Sequence, residues 1–93
     1  MEEIVSIEFE YKGKTYYALA RIKEKGDHKE YHITVMNGAL EQKLYGNHVF
    51  MDEDSWILLS PVPENKAGQL RLAVGMGLCK HFNKPHHLAE GAV

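Results

Sequence analysis

The chain predicts an α+β fold, an antiparallel β-meander of five or six strands with one C-terminal helix packed across one face. Three observations carry that prediction. Apolar and polar residues alternate through residues 4–59, turn dipeptides interrupt the alternation, and a longer amphipathic segment follows a pair of prolines.

The first hairpin is expected to close at Lys12-Gly13-Lys14-Thr15, with Gly13 supplying the positive φ of a II′ turn. That register sets Tyr11 opposite Tyr16, Phe9 opposite Ala18, Ile7 opposite Ala20 and Val5 opposite Ile22. Gly26-Asp27 then sets Ile22 against Tyr31, Ala20 against Ile33 and Ala18 against Val35, and pairs Lys23 with Glu30 on the other face. Asn37-Gly38 has the composition of a type I′ turn and carries Val35 to Leu40 and Tyr31 to Leu44. Gly46-Asn47 continues the series, with Leu44 facing Val49. The expected strands are 4–11, 15–23, 30–36, 39–45, 48–52 and, after an acidic Asp52-Glu53-Asp54 turn, 56–59. The turns agree on one apolar face, and a one-residue slip would move a whole apolar set into water.

Residues 1–93 read as a single domain: sheet 4–59, Pro-containing linker 60–64, helix 65–83 and loose tail 84–93. Ser60-Pro61-Val62-Pro63 cannot continue a central strand. Beyond it, Leu70, Leu72, Val74, Met76 and Leu78 alternate like a strand, whereas Ala67, Leu70, Val74, Leu78 and Phe82 follow helical spacing. Length and the stop at Lys84-Pro85 favour the helix; Gly68, Gly75 and Gly77 oppose it at roughly 1 kcal/mol each. As a strand, the segment would complete a small β-barrel instead. Ala18 and Ala20 leave a trough at the sheet centre that a helix bearing Gly75 and Gly77 could enter.

Composition narrows the function classes. Hydrophobic content is 44% and charged content 26%, ordinary for a soluble globular protein, and the formal net charge of −2 gives no reason to seek a polyanion partner. The lone Cys79 fits a reducing compartment, the acidic start Met1-Glu2-Glu3 does not read as a signal peptide, and no apolar run approaches a membrane span. A cytoplasmic setting is expected, with no membrane association.

Tyr17, Leu19, Met36, Tyr45 and Phe50 fall on the face opposite the core, among charged residues. Tyr17 lies opposite Met36 in the expected register, so these residues form a candidate surface for a homodimer or another protein partner. Scattered surface hydrophobes are the plainer reading.

Cys79, His81, His86 and His87 could each ligate a transition metal, but their spacing matches no compact structural-zinc pattern. Solvated histidines near a helix C-terminus explain them more simply. His28, His32 and His48 are scattered. Gly75-Met76-Gly77 lacks the third glycine and the βαβ context of a dinucleotide fingerprint. Asp52-Glu53-Asp54 lacks the further oxygen ligands of a calcium loop and reads as a solvated turn. No cofactor is expected, and Cys79, in an apolar stretch, is not placed to act as a nucleophile. Nucleic-acid binding through Lys12, Lys14, Arg21, Lys23, Tyr16 and Tyr17 is disfavoured by the neighbouring Glu8, Glu10 and Glu30.

The hairpin around Tyr11-Lys12-Gly13-Lys14-Thr15-Tyr16, followed by further hairpins and a short helix, resembles small bacterial single-domain proteins of the Bacteroidetes type. The resemblance covers the order of elements along residues 4–82 and carries no site residues across. The sequence alone therefore leads to a non-enzymatic interaction or self-association domain. A small-molecule or metal-binding module and a single-stranded nucleic-acid binder are the alternatives.

Overall fold

Residues 3–44, 46–59 and 62–87 are described by a computed structural model of the chain. β1 (Glu3–Tyr11) and β2 (Lys14–Glu24) form the first hairpin. Its loop is the pair Lys12-Gly13, both at positive φ (52° and 78°), which is the I′ geometry. The hairpin thus closes at Tyr11 opposite Lys14, setting Phe9 opposite Tyr16, Ile7 opposite Ala18 and Val5 opposite Ala20. The expected II′ register was off by two residues. A slip of two preserves the face of every side chain, so Ile7, Phe9, Ala18 and Ala20 are buried as expected.

β3 (Lys29–Val35) pairs with β2 in the register expected from Gly26-Asp27, including Ile22 with Tyr31 and Lys23 with Glu30. The chain then departs from the expected meander. Residues Gly38–Leu44 are a helix, α1, where a strand over 39–45 was expected. Neither Asn37 nor Gly38 takes the positive φ that a I′ turn needs. Asn37 is a helix cap instead: its Oδ1 accepts from the Leu40 amide, and the Glu41 amide donates to its carbonyl. Leu40 and Leu44 satisfy both a strand's and a helix's spacing, and both are buried.

The helix resets the register of the next strand. β4 (Val49–Glu53) pairs with β3 through Tyr31 opposite Phe50 and His32 opposite Val49. Phe50 is therefore fully buried and Val49 faces outward, the reverse of the expectation from Gly46-Asn47. A hairpin at Asp54-Ser55, again with both residues at positive φ, leads to β5 (Trp56–Leu58). The turn expected at Asp52-Glu53-Asp54 has moved on by two residues, and Asp52 is a buried strand residue.

α2 (Lys66–Phe82) resolves the ambiguity of the C-terminal segment in favour of the helix. Asn65 caps its start through a bond from the Ala67 amide, and Asn83, left-handed at φ 54° and ψ 49°, ends it. Leu70, Val74 and Leu78 form its buried stripe. Its glycines are explained by their neighbours. Gly77 rests on Glu8 and Phe9 of β1, Gly75 on Leu59 and Phe50, and Gly68 on the Pro63 carbonyl. A Cβ at any of them would collide.

Among the described residues the five antiparallel strands form a curled half-barrel in the order β1-β2-β3-β4-β5. The short β6 (His86–His87) adds parallel to β5, so part of the expected loose tail returns to the sheet; residues 88–93 lie outside the described chain. α2 packs on β1 along one side and on β5 and β6 along the other. It thus bridges the open seam of the half-barrel, and Ala18 and Ala20 share its buried core with Leu70, Val74 and Leu78.

Candidate functional site

The outer, convex face of the sheet carries the side chains that alternate with the core. On it Tyr17 is 53% exposed, Leu19 38% and Met36 61%. The Met36 amide donates to the Tyr17 carbonyl, so those two are direct neighbours, and Leu19 follows two positions along the same face. Ile4, Val49 and Trp56 are further large exposed hydrophobics on this face. Sequence reasoning overlooked Val49 and Trp56, whose outward direction depends on the register set by α1. Of the expected surface residues, Phe50 is withdrawn into the core, and Tyr45 lies outside the described residues.

On the same face β3 carries polar residues. Glu30 holds His32 through a 2.9 Å bond to Nε2 and stands 3.6 Å from Nε2 of His28, whose Nδ1 is 2.8 Å from Asp27. The hydrogen bond to Asp27 raises the pKa of His28, and the one from His32 lowers that of Glu30. His48 makes a 2.9 Å ion-pair contact with Glu41, whose other oxygen accepts from the Val35 amide. His28 and His32 are thus hydrogen-bonded to carboxylates, and His48 lies within ion-pair distance of one. Nevertheless, no three His, Cys, Asp or Glu side chains gather as a metal site among the described residues.

The inner end of the half-barrel holds a second polar group. Asp52, 5% exposed, accepts from the Tyr31 hydroxyl at 2.6 Å and from Lys84 Nζ. Burial, helped by the bond to Asp52, holds the Tyr31 pKa well above its ordinary value. Cys79 is buried, and burial pushes its thiol up, away from the thiolate that nucleophilic or metal chemistry requires. His81 is exposed and packs edge-on against Phe82, while the His86 backbone pairs with Ile57. Cys79, buried, and His81, exposed, lie on α2, and His86 lies on β6.

Arg71, 2% exposed, is the other buried charged residue among those described. Its guanidinium donates to the carbonyls of Leu59, Asn47 and Val49 and covers the Phe50 ring at 4.1 Å. Desolvation lowers its pKa to about 10. It ties α2 to both ends of the β4–β5 region.

These polar groups hold the fold together, whereas the large apolar residues of the outer face are exposed. No family model, curated protein or solved structure matches this chain. Among the described residues no helix is long and apolar enough to cross a membrane.

Proposed function

We propose that the chain is a non-enzymatic interaction domain whose outer sheet face binds a second copy of itself. The observation that carries this reading is the contiguous exposure of Tyr17, Leu19 and Met36 on the convex face. Aromatic and Met side chains are enriched at interface cores, and a two-fold arrangement lets one patch cover its twin. The charged strip of Glu30 and His32 alongside would fix the register of two copies through polar contacts at the rim. A reducing, cytoplasmic setting for the single Cys79 is part of the proposal.

Sedimentation across a concentration series tests it. The wild type is expected to reach dimer mass, Leu19→Lys to remain monomeric with an unchanged circular dichroism spectrum, and Cys79→Ser to retain dimer mass. A wild-type monomer at high micromolar concentration refutes self-association.

A further inference from the structure

His32 stands among the apolar residues of the outer face. Val49, 39% exposed, lies directly opposite it on β4. Leu19 is its diagonal neighbour on β2, one place along that face from Arg21. The Glu30 carboxylate holds Nε2 of His32 at 2.9 Å, and its other oxygen is 3.6 Å from Nε2 of His28. One anion therefore serves two imidazoles.

The groups that face this pair from the neighbouring strands do little to add a second anion. On β2, Arg21 lies opposite His32 and Lys23 opposite Glu30, and Lys25 acts on Glu30 from the turn beyond. On β4, Val49 and Met51 face the same two residues without charge, and Glu53 follows one place past Met51. Asp27 holds Nδ1 of His28 at 2.8 Å, and that bond raises the pKa of His28. Around His28, Glu24 is paired with Lys29 and Asp52 with Lys84, while Asp54 is exposed at the adjoining turn.

We propose that the self-association face is opened by acid, with His32 as its proton sensor. The inference rests on the self-association proposed above and names its regulation. A second copy that covers Leu19 and Val49 takes the imidazole between them out of water, and burial disfavours the charged form. Neutral His32 keeps its bond to Glu30 by donating from Nε2, so the penalty falls on the added proton at Nδ1 alone. Glu30 offsets that charge incompletely, because it also faces His28 and is ringed by Arg21, Lys23 and Lys25. Assembly therefore releases one proton from His32 of each copy. Two protons per dimer make the Kd climb by up to about a hundredfold for each pH unit below the histidine midpoint.

Sedimentation equilibrium of the full chain at pH 8 and pH 5.5, with circular dichroism at each pH, tests the proposal. The wild-type Kd should be about tenfold or more higher at pH 5.5, with an unchanged spectrum. That ratio should fall towards one in His32→Gln, whatever its affinity at pH 8, and persist in His81→Gln on α2. Should His32→Gln fail to assemble, proton NMR carries the test. The His32 midpoint should lie lower in the assembled wild type than in Leu19→Asn, which removes the apolar contact without adding charge. Equal midpoints, equal wild-type Kd values, or a pH ratio that survives His32→Gln would overturn the sensor and leave self-association standing. Dissociation accompanied by loss of the folded spectrum would overturn it as well. A wild type that is monomeric at pH 8 refutes self-association itself, and the sensor with it.

Discussion

Gly77 of α2 and Phe9 of β1 meet so closely that a Cβ on the glycine would stand 2.7 Å from the Cβ of Phe9. The same atom would lie 2.5 Å from the Glu8 carbonyl oxygen. Neither backbone nor a buried aromatic stem can yield cheaply. Gly77→Ala should therefore destabilise the protein by about 1–3 kcal/mol in urea unfolding, despite the better helix propensity of alanine. Gly38→Ala is the control: no atom lies within 4 Å of its added methyl and its φ is not positive. It should be neutral or stabilising by up to about 1 kcal/mol.

Asn37 distinguishes a cap from a turn. As the cap of α1, Asn37→Asp should be nearly neutral and Asn37→Ala should cost about 0.5–2 kcal/mol in the same assay. Equal losses from the two variants would contradict the capping role.

That residue also shows where the sequence could be read and where it could not. The β2–β3 register was legible because Gly26-Asp27 joins two long alternating runs whose charges match at Lys23 and Glu30. Asn-Gly, by contrast, suits a I′ turn and a helix start equally well, and Leu40 and Leu44 repeat at a spacing both structures share. Only the pairing of β3 with β4 decides between them, and that contact is non-local. Phe50 was misplaced for the same reason, since its face is inherited from the element before it. Tyr17, Leu19 and Met36 were legible because β2 and β3 were. The close packing of α2 on β1 was not, because these are a strand and a helix far apart in the chain, and no local pattern announces their meeting.

Arg71 is predicted to be the most sensitive polar position. Arg71→Met keeps the bulk against Phe50 and removes the donors to three carbonyls. Each orphaned group costs about 1–3 kcal/mol, so a total loss of about 3 kcal/mol or more is expected. Arg71→Lys should recover only part of it, since one ammonium cannot reproduce the guanidinium fork. Urea denaturation at neutral pH measures both.

His28 should titrate above the ordinary histidine range, with its hydrogen bond to Asp27 as the main cause and Glu30 adding to it. Its contribution to stability is full below about pH 6.5 and fades as pH rises through the raised value. Asp27 and Glu30, both lowered, contribute above about pH 4.5 and fade as pH falls through their own lowered values. Asp27→Asn should move the His28 midpoint down in a proton NMR titration. An unmoved midpoint would exclude this pairing in solution.

At high pH the buried phenol of Tyr31 takes over. The folded protein holds its proton after the unfolded chain has released it, so stability should decline above about pH 10. Tyr31→Phe should flatten that alkaline limb while costing stability at neutral pH, where Asp52 loses its hydroxyl donor.

The seam bridged by α2 sets a schedule for folding during synthesis. β1 leaves the ribosome before the strands that follow it, yet the surface that completes its side of the core belongs to residues 66–82, translated after every strand of the meander. Until then the nascent chain carries Phe9, Phe50 and Leu59 without their covering helix. Such late, long-range closure slows folding and lengthens the interval in which open strand edges can find the wrong neighbour. Stalling translation just before residue 66 should accordingly yield a chain bound by chaperones, and release past residue 82 should let it go.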